Sequence, residues 1–319
     1  MNTRKNSQIP RFYKKSIDER QAVIAQWLHS EADSGLEMPD LSLEEADHMI
    51  ENVIGRYTLP FAVATNFLIN QRDYLIPMVV EEPSVVAAAS NAAKMFREGG
   101  GFTTSSDEPI MIGQMQVLDI PDVELAIQRL NDQKTILIDK ANEVGGSIVK
   151  RGGGVRDLEF RIIPETSIGL MLIIHLLIDT RDAMGANAVN STVEHLAPDV
   201  AELTGGRVHL KILSNLADQR KARAEGIVPS HILASDSSSG EAVVDAILEA
   251  AVFAEVDPYR ATTHNKGVMN GIDPVVIATG NDWRAVESAA HAFVSRSGSY
   301  GSMTQWRKLP NGDLHGCIE

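Results

Sequence analysis

Residues 168–190 read I-G-L-M-L-I-I-H-L-L-I-D-T-R-D-A-M-G-A-N-A-V-N, and the two halves of this stretch favour different structures. The first half is apolar through Ile178 apart from His175. It falls short of the roughly 20 residues that span a bilayer and reads as a buried strand, Ile168–Asp179. The second half opens a helix at Gly185 that runs to Thr204, where Gly205 and Gly206 stop it. Working outward, Met111–Ile120 alternates as a strand, Pro121–Val144 is helical, and Val155–Ile163 and Arg207–Leu213 are strands. The order β-α-β-β-α-β is that of a split βαβ, or ferredoxin-like, unit. A self-contained block of about a hundred residues in mid-chain implies an inserted domain. The expected fold class is therefore α+β: a large mixed α/β domain (1–109 and 219–319) interrupted by a ferredoxin-like domain (110–218).

Flanking segments carry their own start and stop signals. Ser16 with Glu19 makes a capping box for a helix to about Ala32, and Ser42 with Glu45 makes another that leads to Gly55. The strand-like run Tyr74–Val80 leads past Pro83 into a helix, Val85–Arg97, closed by Gly99, Gly100 and Gly101. Downstream, Ser237–Gly240 is a loop, Glu241–Val256 an apolar helix ended by Asp257-Pro258, and Trp283–Ser295 a further helix.

Composition excludes several classes of function. The 319 residues are 44% hydrophobic and 23% charged, which describes an ordered globular protein. A net charge of 29 − 43 = −14 argues against a generic nucleic-acid or anionic-membrane binder. Cys317, the single cysteine, cannot form an internal disulfide, and the expected setting is cytoplasmic. Arg4, Lys5, Arg11, Lys14 and Lys15 lie near the start, but no apolar stretch follows to make a secretory signal. No H-E-x-x-H, paired-Cys or G-x-S-x-G motif occurs, so no metal is expected, and His175 reads as a satisfied core residue.

Three stretches suit chemistry. D-A-M-G-A-N-A-V-N (182–190) follows a buried strand and opens a helix, where free N–H groups and the helix dipole suit a pyrophosphate. Gly185 and Ala186 allow close approach, and Asn187 and Asn190 offer polar side chains; a plain helix start is the competing reading. Glu81 and Glu82 lie between an apolar strand and an apolar helix, where partial desolvation would raise a carboxyl pKa toward proton donation. Equally, the pair could be helix-favouring charges. T-H-N-K-G (263–267) sets Lys266 beside Asn265 and Asn270. In an apolar interior the lysine would need a counter-ion, for which Asp282 is the natural candidate, and it could then polarise a carbonyl. Arg260 could clamp a carboxylate in a two-pronged fashion, and surface charges are the alternative for this stretch. Gly152, Gly153 and Gly154 read as a turn.

Taken together, these segments resemble the soluble, prokaryotic-type class II 3-hydroxy-3-methylglutaryl-CoA reductases. The matching motifs are E-N-V-I-G (51–55) with Leu59-Pro60, E-E-P-S (81–84), G-G-F-T-T-S-S (100–106), D-A-M-G-A-N (182–187), S-N-L-A-D (214–218), D-P-Y-R-A-T-T-H-N-K-G (257–267), G-I-D-P (271–274) and T-G-N-D-W-R-A-V-E (279–287). The resemblance implies NADH- or NADPH-dependent reduction of 3-hydroxy-3-methylglutaryl-CoA (HMG-CoA) to mevalonate and free CoA, or the reverse. It implies Glu82 as the catalytic glutamate, Lys266 as the lysine that polarises the thioester, and Asp282 as the aspartate that holds it. Ser84, Arg260 and Asn270 fall at the substrate, and Asp182, Met184, Gly185, Asn187 and Asn215 at the dinucleotide on the inserted domain. It further implies a homodimer with shared active sites, glutamate and lysine coming from opposite subunits, and neither membrane nor nucleic acid as a partner.

The resemblance has two departures. The family's histidine that protonates the CoA thiolate lies in an L-H-x-R-N-like segment of a C-terminal flap. None of the nine histidines here has that context, and the chain reads H-G-C-I-E at 315–319, where the family continues. Impaired activity of the chain alone is therefore expected, the alternative being a non-catalytic dinucleotide- or CoA-binding remnant, or a subunit that needs a separate C-terminal piece. Second, no decisive acid marks an NAD-specific ribose site near Asn142–Gly146, while Lys150 and Arg151 would tolerate a 2′-phosphate.

Overall fold

A computed structural model describes residues 5–28 and 40–319. In chain order its elements begin with α1 (Ile17–Leu28), α2 (Leu43–Met49), β1 (Phe61–Ile69), β2 (Arg72–Val79), α3 (Val85–Glu98), β3 (Phe102–Ser106) and β4 (Ile110–Leu118). There follow α4 (Val123–Asp132), α5 (Lys134–Glu143), α6 (Gly146–Lys150), β5 (Gly154–Ile163), β6 (Met171–Asp179), α7 (Ala186–Thr204) and β7 (Arg207–Ser214). The chain continues through β8 (Ala222–Val228), α8 (Ser230–Leu233), α9 (Gly240–Val256), α10 (Pro258–Ala278), α11 (Trp283–Val294), β9 (Thr304–Lys308) and β10 (Leu314–Ile318).

Two compact units result. One holds residues 105–223 with 284–300 and Glu319. Its four strands run β5-β6-β4-β7, all antiparallel, which is the ferredoxin-like order. Strand alternation sends Leu172, Ile174, Leu176 and Ile178 of β6 to one face with Met115 and Val117 of β4. There they meet Leu130 of α4, Leu137 of α5 and Val189, Val193 and Leu196 of α7, forming the larger of the chain's cores. Gly113 permits the close approach of α7, because a Cβ at that position would lie 2.6 Å from Val193 Cγ1.

Local chemistry moved several expected boundaries. The helix expected over Pro121–Val144 is two helices, broken at Gln133 (φ −99°, ψ 4°). Strand β6 begins at Met171 rather than Ile168. Thr166 folds the chain back first, its hydroxyl donating to Gly169 O at 2.6 Å, and Gly169 takes φ 93°. Helix α2 stops at Met49 because Ile50 is already extended, and Asn52 then turns left-handed (φ 60°). Both capping boxes form, at Ser16/Glu19 and Ser42/Glu45. The expected end of α1 near Ala32 lies outside the described residues.

The other unit comprises the described residues through Thr104, with Ala224–Trp283 and Gly301–Ile318. Its sheet runs β2-β1-β3-β8-β10-β9. Strands β1 and β2 form a hairpin across Asn70 and Gln71, both with positive φ (47° and 64°), and β3 lies parallel to β1. Helix α3 covers β1, and Phe96 sits 4.7 Å from the Phe102 ring and 6.5 Å from Trp306. Val228, Val244 and Leu314 close a second core, and α10 packs against both β2 and α9. That last contact positions the candidate site. Among the described residues, no helix is long and apolar enough to cross a membrane.

Candidate active site

The large unit's site forms where β2 hands the chain to α3. Glu81 and Glu82 follow the strand, Pro83 restricts the next step, and Ser84 caps α3 in a left-handed conformation (φ 72°, ψ −15°) unusual for a non-glycine residue. Its hydroxyl makes no capping hydrogen bond. Such strain persists only where surrounding structure imposes it, and it concentrates at functional turns.

Helix α10 supplies the opposing groups. Asp257 caps it by accepting the Arg260 N–H at 2.7 Å, and Pro258 fills the first turn, where a missing N–H costs nothing. Lys266 and Asn270 are four residues apart and so share a face. Lys266 Nζ lies 2.8 Å from Glu82 Oε2, and Asn270 Nδ2 donates to Glu82 Oε1 at 3.3 Å. Arg260, on the same helix, is half-buried and six residues nearer its start, about 9 Å along the axis. Asp282 is half-buried in the same unit and immediately precedes α11.

Three expectations need correction. Lys266 is not held in an apolar interior: its side chain is 62% exposed, since it lies on the open face of α10. The partner it shows is Glu82, 2.8 Å away, rather than Asp282 alone. Nor is the Glu82 carboxyl raised. The hydrogen bond and charge of Lys266, then the Asn270 amide, hold it below the ordinary glutamate value, because exposure removes most of the desolvation that would oppose them.

Two residues of the same motif were not singled out by sequence. Asn265 is fully buried and pins α10 by donating to Gly301 O (2.9 Å) and accepting from the Met303 N–H (2.9 Å). His264 meets Thr304 Oγ1 at 2.7 Å, and burial, then the charge of Arg260, lowers its pKa. A buried Asn265 next to half-buried His264 and exposed Lys266 becomes legible once the segment is read as helix. Gly267 and Gly271 in turn border open space, with no atom within 4 Å of where a Cβ would stand. Gly267→Ala is expected to raise stability by about 1 kcal/mol, the usual helical difference, as read by urea denaturation. A lower midpoint would show that the open strip is not open.

In the small unit, residues 180–187 turn from β6 into α7. Gly185 has φ 86°, and a Cβ there would lie 2.4 Å from Thr180 Cγ2. The first turn of α7 carries no acid, and Asp182, Met184 and Asn187 are exposed beside it. Asn215 is exposed on the turn after β7. A glycine in the left-handed region, free helix N–H groups and a first helical turn without an acid together fit a dinucleotide pyrophosphate. Asn190 does not join them, because its Oδ1 accepts the Leu213 N–H at 2.9 Å and braces β7. Lys150 and Arg151, at the end of α6, are exposed. His175 is half-buried, and its ring accepts from Gln114 Nε2 at 2.9 Å. Burial, then the charge of Arg161, lowers its pKa, consistent with a neutral ring. Among the described residues, no group of three His, Cys, Asp or Glu side chains is placed to hold a metal.

Comparison with known proteins bears on these sites. The family model for hydroxymethylglutaryl-coenzyme A reductase matches residues 16–319. The 3-hydroxy-3-methylglutaryl-coenzyme A reductase of Archaeoglobus fulgidus is 48% identical over 316 residues, which are 98% of this chain and 71% of that protein. A probable reductase of Borreliella burgdorferi is 35% identical over 274 residues, 85% of this chain and 61% of that one. The solved structure of a Streptococcus pneumoniae class II reductase bound to NADPH in open conformations superposes with a TM-score of 0.90 at 40% identity, covering 96% of this chain and 84% of that one. A family match over nearly the whole chain, with near relatives and a shared fold, places this chain in the hydroxymethylglutaryl-coenzyme A reductase family.

Proposed function

We propose that this protein catalyses the NADH- or NADPH-dependent reduction of HMG-CoA to mevalonate and free CoA, or its reverse. The observation that carries the reading is the meeting of Glu82, Lys266 and Asn270 within hydrogen-bond distance on a face open to solvent. A dinucleotide, when bound, supplies the hydride chemistry. Asp182, Met184, Gly185, Asn187 and Asn215 would hold it, and Lys150 with Arg151 would accommodate a 2′-phosphate.

The chain's own groups do the rest. An ammonium has three N–H donors, and Glu82 engages one, so Lys266 keeps others for the thioester oxygen as negative charge grows there. As Lys266 turns to that oxygen, Glu82 loses the interaction that depresses its pKa, takes up a proton from solvent and passes it to the negatively charged substrate oxygen to give the alcohol. Asn270 keeps the carboxylate in place meanwhile. Arg260 is suited to the free carboxylate of the substrate, the Ser84 hydroxyl follows Glu82 by two residues, and Asp282 is suited to orienting Lys266.

The reading includes a homodimer in a cytoplasmic setting. Ile54, Tyr57, Val256 and Tyr259 of the large unit are 103%, 88%, 74% and 86% exposed, more apolar surface than a lone subunit keeps without use. With the full-length protein, the expected results are HMG-CoA-dependent oxidation of NADH or NADPH with mevalonate as product, and a sedimentation mass of two subunits. Dinucleotide oxidation with no requirement for HMG-CoA would overturn the reading.

A further inference from the structure

We infer that Arg220 is a positioning residue for dinucleotide binding: it latches together the two turns that carry the proposed NAD(P)H contacts. The inference rests on the dinucleotide reading above. Arg220 ends the turn 215–220, whose own hydrogen bonds, Ala217 N–H to Asn215 O and Arg220 N–H to Ala217 O (each 2.9 Å), fix where its side chain starts. From there the guanidinium crosses to the other turn. Nη1 donates to Thr180 Oγ1 at 3.0 Å and to Ala183 O at 3.1 Å, and Nη2 to Arg181 O at 3.5 Å. Thr180 is fully buried, its own hydroxyl donates to Ala183 O at 3.1 Å, and its methyl is the atom that Gly185 must clear.

The geometry of a trans peptide gives this latch a consequence. Carbonyl and following N–H point in opposite directions, so drawing Arg181 O and Ala183 O toward Arg220 turns the N–H groups of Asp182 and Met184 away from it. Among the described residues neither N–H has an acceptor. They add to the unpaired N–H groups of the first turn of α7, so one side of the turn becomes a row of donors for a phosphate. Three of Arg220's hydrogen bonds go to Thr180 Oγ1 and two backbone carbonyls, and through them it orients these amides. A planar guanidinium holds its donors spread in a fixed fork that reaches three separated acceptors on one turn, whereas a lysine's donors share one nitrogen.

The test uses full-length protein and measures NADH and NADPH dissociation constants calorimetrically. Arg220→Ala is expected to weaken both about tenfold or more, through lost preorganisation of the turn. Arg220→Lys should recover part of the loss, and added guanidinium should partly rescue Arg220→Ala. The KM for HMG-CoA and kcat at saturating dinucleotide should stay within about threefold, since the latch is not in contact with the reacting groups. Without ligand, amides 182–188 should exchange hydrogen faster in Arg220→Ala. Wild-type affinity in Arg220→Ala, or equal losses for HMG-CoA and dinucleotide, overturns the inference. A wild-type protein that binds neither dinucleotide overturns the reading beneath it.

Discussion

Lys266→Ala is expected to lower kcat for HMG-CoA reduction by about 10²–10³-fold, the range for removing one donor that stabilises a developing oxyanion. The KM for HMG-CoA is expected to change little, because in the proposed mechanism the lysine acts on charge that appears only in the transition state. Steady-state rates at saturating dinucleotide and substrate test this directly. A variant with near-normal kcat would remove Lys266 from the mechanism.

The ion pair adds a second signature. Lys266 is the main reason the Glu82 carboxyl sits below its ordinary value, so its removal lets that pKa rise. The basic limb of the residual pH–rate profile, where the proton donor ionises, is therefore expected at higher pH in Lys266→Ala than in wild type. The sign for stability runs the other way around the same group. A depressed carboxyl contributes stability above its unfolded pKa, and the contribution is lost as pH falls through the folded value. With the two side chains 62% and 44% exposed, solvent screens most of that contribution, so unfolding experiments should register little while catalysis registers much. Glu82→Gln combined with Lys266→Ala should cost far less than the product of the single losses, since each single change already disables the same step.

Legibility in the sequence followed the range of the interactions involved. The small unit was readable because its signals are local. Alternation in β4 and β6, the Gly205-Gly206 stop and the βαββαβ order each need only neighbouring residues. The hairpin of β1 and β2 was also locally encoded, since Asn70 and Gln71 separate two strand-like runs, but a turn with Gln at positive φ lacks the glycine that usually announces one. Helix α10 was missed for a different reason. Gly267, Gly271 and Pro274 all argue against a helix by propensity, and packing against β2 and α9 overrides them. The same missing helix explains why Glu82 was not foreseen as a partner of Lys266. On a loop, Lys266 looks toward Asp282 nearby in sequence; on a helix laid against β2, it faces Glu82, distant in sequence and adjacent in space. Burial was the other blind spot. The residues around Lys266 suggested an apolar interior, whereas alternate faces of α10 separate buried Asn265 and Met269 from exposed Lys266 and Gly267. Residue types pointed to the candidate site, and long-range packing set its electrostatics.

Gly185→Ala is expected to cost the protein its dinucleotide affinity before it costs the fold. Two penalties meet at this position. Holding an alanine at φ 86° is worth roughly 1–3 kcal/mol of backbone strain. The new Cβ would also fall 2.4 Å from Thr180 Cγ2, and Thr180 has no room to yield because it is fully buried and bonded to Ala183 and Arg220. The turn must then rotate, and the N–H groups of residues 182–188 rotate with it. Gly169→Ala separates the two penalties. Gly169 has φ 93° but nothing within 4 Å of its missing Cβ, so that variant carries strain without collision. Calorimetric titration with NADH and NADPH should show Gly169→Ala at wild-type affinity and Gly185→Ala weakened at least about tenfold, one factor of ten corresponding to roughly 1.4 kcal/mol. Both should lower the thermal midpoint, Gly185→Ala by more. Unchanged affinity in Gly185→Ala would mean that the α7 turn does not carry the dinucleotide, because no ligand seated on those amides could ignore their displacement.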